Sequence, residues 1–222
     1  MITIFWLSLF LIIYSYLLYP LLLKLFVKPQ EISMEMPKKL PSVDVIIAAY
    51  NEESCIKARI ENVLAQEYSG KLQVLVASDG SEDNTGKIIE SFTDPRVTAM
   101  NFEVNRGKIS VLNDLIAKSK AKILVFTDAN TDFNIDAVSV LVSSFSNNIG
   151  AVSGELILET DDGNQNLDGF YWKYEQFLKK SESQLGSLLG ANGAIYALYR
   201  DLYIPLSTDT IVDDFCIVMN VK

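Results

Sequence analysis

The chain has 222 residues, 49% of them hydrophobic and 21% charged, which excludes a disordered or collagen-like polymer. Its 19 Lys and Arg against 28 Asp and Glu leave a net charge of −9, so little counter-charge is available for a nucleic-acid backbone. With no histidine, the chain has no Ser-His-Asp or Cys-His catalysis, no His-ligated zinc and no histidine general base; such chemistry falls to carboxylates and amides.

The first element in chain order is apolar. Residues 4–23 are interrupted only by two serines and Pro20, and the first charge is Lys24. A helix of about 20 residues rises about 30 Å, one hydrocarbon thickness. No basic start precedes the run, and Tyr19-Pro20-Leu21 stands where a cleavage site needs small residues. Residues 1–27 are therefore expected to be a retained transmembrane anchor, not a signal peptide or a buried core helix. Lys24, Lys28, Lys38 and Lys39 all follow the run, which puts the remainder on the cytoplasmic side of the cell (inner) membrane. Residues 28–41, rich in proline and charge, read as a juxtamembrane linker. Residues 42–222 suffice for one domain with its own core. Cys55 and Cys216 are too far apart for a metal knuckle and suggest no disulfide framework, so a reducing compartment is expected.

Within that domain, Val43–Ala49 is a β-rich apolar run, and Ile56, Ile60, Val63 and Leu64 recur at helical spacing. Residues 72–77 predict a second buried strand and a helix follows from about Asp83. Val97–Phe102 is a weaker strand, 107–118 a helix, 121–126 a third strong strand and 134–145 another helix. Phe170, Tyr174, Phe177 and Leu178 share one helical stripe beside Trp172, read as a core-facing amphipathic helix, the alternative being a surface helix near the membrane or an acceptor channel. Residues 159–168 form an acidic loop, expected to be mobile. Alternating strands and helices, with continuous apolar strands, predict an α/β fold: a mostly parallel sheet covered by helices on both faces.

Such sheets bind ligands beyond the carboxyl ends of their strands. Asn51 and Glu52 follow the first strand, Asp79 the second, Asp128 and Asn130 the third strong one. Each alone reads equally as a turn or cap residue; together they put acids and amides on one rim. No Gly-x-Gly-x-x-Gly follows the first strand and no P-loop is present, which disfavours a nicotinamide dehydrogenase and a P-loop NTPase. An oxygen-rich rim suits Mg²⁺ or Mn²⁺, which usually bridge substrate phosphates, so a nucleotide diphosphate is the expected ligand. Asp128 and Asn130 are alternate residues leaving a strand and can reach one ligand. Lys108 opens a helix and can add positive charge there, though by spacing alone it reads as a solvated lysine.

These residues resemble family 2 glycosyltransferases, inverting enzymes of GT-A fold, and most of all the membrane-bound polysaccharide-assembling members. The resemblance is carried by Val-Ile-Ile-Ala-Ala-Tyr-Asn-Glu-Glu at 45–53, Ser-Asp-Gly-Ser-Glu-Asp-Asn-Thr at 78–85, Asn-Arg-Gly-Lys at 105–108 and Phe-Thr-Asp-Ala-Asn at 126–130. It continues with Tyr-Trp-Lys-Tyr-Glu at 171–175, Gly-Ala-Asn-Gly-Ala-Ile-Tyr at 190–196 and Val-Asp-Asp-Phe at 212–215. It implies a Rossmann-like GT-A domain after one transmembrane helix, a nucleotide-sugar donor (most often a UDP-sugar) and a saccharide or lipid-linked acceptor. Ala48, Tyr50 and Glu52 would line the nucleoside pocket, Asp79 would contact the base, and Lys108 would lie near the nucleotide. Asp128 and Asn130 stand where the family has Asp-x-Asp, which holds the sugar nucleotide and its Mg²⁺ or Mn²⁺. Asn130 keeps a carbonyl oxygen but lacks charge. Asp214, with Asp213 as the alternative, matches the family's catalytic base, although two acids before Phe215, Ile217 and Val218 read by themselves as ordinary helix N-terminal residues.

Members of this membrane type continue with Gln-x-x-Arg-Trp and further transmembrane helices, whereas this sequence stops at Lys222. The expectation is a chain that binds sugar nucleotide but turns over poorly. Two other readings stay open: a nucleotidyltransferase, for which the loop Asn51-Glu52-Glu53 is repulsive to phosphate, and a non-enzymatic nucleotide-binding membrane protein or partner of a synthase.

Overall fold

The computed structural model describes residues 1–27, 36–146, 148–156, 168–185, 190–191 and 193–221, with the side chains of 168–172 outside that set. The chain forms two compact units, one of Met1–Ile32 and Ile157–Leu189, the other of Ser33–Leu156 and Gly190–Lys222. The expected domain 42–222 thus contains a stretch that groups with the N-terminal helix. The acidic loop 159–167 and most of the linker, 28–35, lie outside the described residues.

In the first unit, α1 (Ile2–Ile13), a π-helical turn (Tyr14–Leu18) and α2 (Tyr19–Phe26) run on as one 25-residue helix, long and apolar enough to cross a membrane. Pro20 has no N–H to give to the Tyr16 carbonyl four residues back, and the helix widens into a π turn just before it. The Tyr174 hydroxyl donates to the carbonyls of Ser15 and Tyr16 at 3.4 and 3.3 Å. Tyr174 belongs to α7 (Asp168–Gln184), which also accepts a 2.7 Å hydrogen bond from the Tyr19 hydroxyl on Glu182 Oε1. The core-facing reading of this helix therefore needs correction. Phe177 is 37% exposed, Tyr174 faces the apolar N-terminal helix, and the Phe170 side chain lies outside the described residues. The helical stripe is present, and its Tyr174 packs on the N-terminal helix.

The second unit is built on six strands: β1 (Val43–Ala49), β2 (Leu72–Asp79), β3 (Val97–Phe102), β4 (Ile123–Thr127), β5 (Ala151–Ser153) and β6 (Tyr196–Tyr199). Their order is β3-β2-β1-β4-β6-β5, with β1, β2, β3 and β4 parallel and β6 antiparallel to both its neighbours. Every residue of β4 is buried, and β1 is buried but for half-buried Ala48, as continuous apolar strands covered on two faces require. On one face α3 (Ile56–Leu64) and α4 (Thr85–Glu90) bring Ile56, Ile60, Val63 and Ile89 against Val45, Ile47, Val74 and Val76. Helix α5 (Lys108–Lys118) packs on β1 and β2, burying Val111, Leu112 and Leu115. Helices α6 (Ala137–Ser143) and α8 (Asp213–Met219) complete the unit. The mostly parallel α/β sheet matches the expectation, and its one reversed strand, β6, with the edge strand β5 beyond it, is new.

Candidate functional site

The parallel strands end at one rim, and the first loop there is fixed by its own polar residues. Asn51 adopts a positive φ of 55°, which an Asn tolerates better than most residues. Its N–H donates to Ser81 Oγ, and its Oδ1 accepts from Glu82 N. Glu52 N donates to Thr85 Oγ1 at 2.8 Å, and the Glu52 carboxylate accepts from the Cys55 thiol at 3.0 Å. Burial, then Glu52, pushes that thiol up to about 11. Ala48 is half-buried at the end of β1, and Tyr50 is 46% exposed beyond it.

Asp79 closes β2 and is 4% exposed. Its two oxygens each accept a 2.9 Å bond, from the backbone N–H of Arg106 and of Gly107. Asp79 thereby holds the loop that delivers Lys108 to the start of α5. Gly80 allows the close approach, since a Cβ there would lie 2.2 Å from Asn105 N.

Four of the residues singled out from the sequence meet at one place. The Lys108 ammonium donates to Asp128 Oδ1 at 3.0 Å and pairs with Asp213 Oδ2 at 3.2 Å. Burial pulls this ammonium down, but the charges of Asp213 and Asp128 outweigh it and hold it above its ordinary value. Oδ2 of Asp128 and Oδ2 of Asp214 both come close to Gly193: a Cβ on that glycine would lie 3.3 Å from Asp214 Oδ2 and 3.6 Å from Asp128 Oδ2. Asp214 Oδ1 accepts from Phe215 N at 2.7 Å, which fixes the carboxylate at the first turn of α8. Below lies a small cleft lined by Lys108, Thr127, Gly193, Tyr196 and Asp213. The Tyr196 ring stacks on Phe126 at 4.7 Å, and burial, then Asp213 and Asp214, raises its hydroxyl.

This donor set suits a hard divalent cation that shares its ligands with a substrate. Asp128 has one carboxylate oxygen outside the ammonium contact, its side chain is 40% exposed, and Asn130 two residues on is exposed as well. Among the described residues no three acidic or thiol side chains cluster tightly enough to cage a metal by themselves. A cation with ligands from Asp128, Asn130 and a bound diphosphate fits that arrangement.

Several residues here escaped the sequence reading. Arg59, Asn62 and Gln66 lie at intervals of three and four on α3 and just past its end, two of them buried. Asn62 Oδ1 accepts from Phe133 N while its Nδ2 donates to Phe133 O, both at 2.9 Å. Gln66 Nε2 donates to Asn134 O and its Oε1 accepts from Val138 N. The inner face of α3 thus grips the loop that begins with Asp128. The available signal was polar residues among the apolar positions of an amphipathic helix.

The sequence profile of "Glycosyl transferase family 2" matches residues 44–202. The chain is 32% identical over 120 residues to a poly-beta-1,6-N-acetyl-D-glucosamine synthase from Staphylococcus epidermidis, covering 53% of this chain and 29% of that one. It is 28% identical over 172 residues to an N-acetylglucosaminyltransferase from Neorhizobium galegae, covering 74% and 40% respectively. The chain therefore spans well under half the length of these two relatives. Among solved structures, a mannosyltransferase from Pyrobaculum calidifontis in complex with GDP-Man and Mn²⁺ superposes with a TM-score of 0.76 at 26% identity, over 90% of this chain and 57% of that one.

Proposed function

From a chain that belongs to glycosyl transferase family 2, we propose an inverting transfer of a sugar from a UDP-sugar to a saccharide or lipid-linked acceptor, in the assembly of cell-surface polysaccharide or glycolipid. The observation that carries this reading is the meeting of Asp128, Asp214 and Lys108 around Gly193 at the carboxyl ends of the strands. Asp128 and Asn130 would hold a Mg²⁺ or Mn²⁺ ion, which would supply positive charge to neutralise the departing diphosphate. Lys108, already charged and facing Asp128, adds positive charge beside the diphosphate. Asp214 is the general base: it holds the acceptor hydroxyl and takes its proton as the anomeric carbon is attacked from the face opposite the diphosphate. Asp213, engaged by Lys108 at 3.2 Å, is the weaker candidate. Asp79 sets the Lys108 loop beside the base; Ala48, Tyr50 and Glu52 border the nucleoside. The N-terminal helix anchors the chain in the cell membrane, and the lysines that follow it favour a cytoplasmic site.

Two relatives carry N-acetylglucosamine in their names and a structural neighbour holds GDP-Man, so UDP-N-acetylglucosamine and GDP-mannose are the donors to compare. Calorimetry on the detergent-solubilised chain is expected to give Mn²⁺-dependent, UDP-selective binding that Asp128→Ala abolishes. Asp214→Asn should leave that binding intact and remove transfer, by a factor on the order of 10²–10⁴ for loss of a general base. Undiminished transfer by Asp214→Asn would overturn the assignment. Absence of nucleotide binding by a demonstrably folded chain would overturn the donor site.

A further inference from the structure

Arg59 is 1% exposed. Its Nη1 donates to Asn62 Oδ1 at 2.7 Å and its Nη2 to Thr127 Oγ1 at 2.8 Å, while the guanidinium lies 3.9 Å over the Phe133 ring. Nε has no hydrogen-bond partner, and among the described residues no carboxylate forms an ion pair with the group. A buried cation in this state is costly, and an apolar side chain of similar volume generally serves stability as well or better. Its retention calls for a reason beyond the core.

Among the described residues, the hydrogen-bond and ring partners of the guanidinium belong to one segment or to the residue that grips it. Thr127 immediately precedes Asp128, and its hydroxyl passes the contact on to the Ala194 carbonyl at 2.8 Å, next to Gly193. Phe133 closes the same loop, clamped by Asn62. Burial pulls the guanidinium down to about 10, against the charges of Asp132 and Asp128 in this loop.

We propose that Arg59 is a positioning residue for the donor-binding loop: its guanidinium fork, bonded to Thr127 and Asn62 and packed on Phe133, holds residues 127–134 so that Asp128 lies beside Gly193. The role of Asp128 rests on the function proposed above; the holding of the loop does not. Hydrogen-bond shape carries this role, because only the fork reaches Asn62 and Thr127 together.

The test compares Arg59→Met, Arg59→Gln and Arg59→Lys in the full chain in detergent. One arm is calorimetric binding of UDP with Mn²⁺; the other is hydrogen exchange of the amides of 127–134; melting temperature is the control. Met and Gln should weaken UDP–Mn²⁺ binding about tenfold or more, as loss of groups behind metal ligands typically does. They should also speed exchange in 127–134, with the melting temperature of Arg59→Met unchanged or raised. Lys, which keeps the charge and loses the fork, should be impaired in both readouts as well. Wild-type-like binding and exchange in Met and Gln, or in Lys, would overturn the proposal. If Arg59→Met does not fold, Arg59→Gln and Arg59→Lys decide. If the wild type binds no nucleotide, the donor site itself fails, and the exchange arm still decides whether Arg59 holds the loop.

Discussion

Asp213 and Asp214 are neighbours in sequence but sit in different surroundings. One is paired with Lys108, and the other turns an oxygen toward Gly193 and Asp128. Adjacent helical residues point about 100° apart, so two acids in the first turn of α8 cannot share one partner. Cys55 is a second case in which the surroundings decide. Its thiol is held at about 11 by burial and by Glu52. Because the folded value is raised, the stability it contributes is complete below its ordinary value of 9.0 and is lost as pH rises through about 11. In a Cys216→Ser chain, alkylation of Cys55 at pH 8 should run on the order of a hundredfold slower folded than in urea, since two pKa units set the thiolate fraction. Equal rates in the two states would show that the Glu52 contact does not persist.

Helix α3 shows how an element is read only halfway from its own sequence. Ile56, Ile60 and Val63 declare the helix and its buried side. Arg59, Asn62 and Gln66 lie on that side too, and their partners are backbone and side-chain groups some seventy residues away. Strands β5 and β6 were not legible for a related reason. They have three and four residues, too few for a periodic pattern, and become strands by pairing with β4 and with each other. The turn after β2 is another meeting of distant segments. Gly80 has φ 65°, and a Cβ there would press on the backbone of Val104 and Asn105. Gly80→Ala should therefore cost on the order of 2–3 kcal/mol. The loss would be read as a lowered melting temperature, with weakened nucleotide binding because Asp79 and the Lys108 loop shift together. An unchanged melting temperature would show that the loop yields freely.

For the whole molecule, the N-terminal helix is a separate material from the sheet unit. Its side chains are largely exposed, as a span surrounded by lipid should be, with Leu11 at 53%. Leu11→Arg puts a charge near the middle of that span at a cost of about 3 kcal/mol. It should move the chain from the alkali-resistant membrane pellet toward the soluble or degraded fraction. Full retention in the pellet would argue against a membrane-spanning role for this helix. The comparisons agree with the family resemblance read from seven motifs, and the sheet agrees with the expected α/β class.

The sequence by itself determined the apolar helix, the four parallel strands and their helices, the acid-bearing rim and the family. These depend on periodicity and on residues adjacent in the chain, where the 3.6- and 2-residue repeats and strand-end punctuation act. Only the tertiary structure decided that Lys108 joins Asp128 to Asp213, that Asp128 and Asp214 meet beside Gly193, and that Arg59 bonds to the residue that precedes Asp128. These contacts join residues dozens of positions apart, and no local preference encodes a contact whose two halves meet only when the sheet closes.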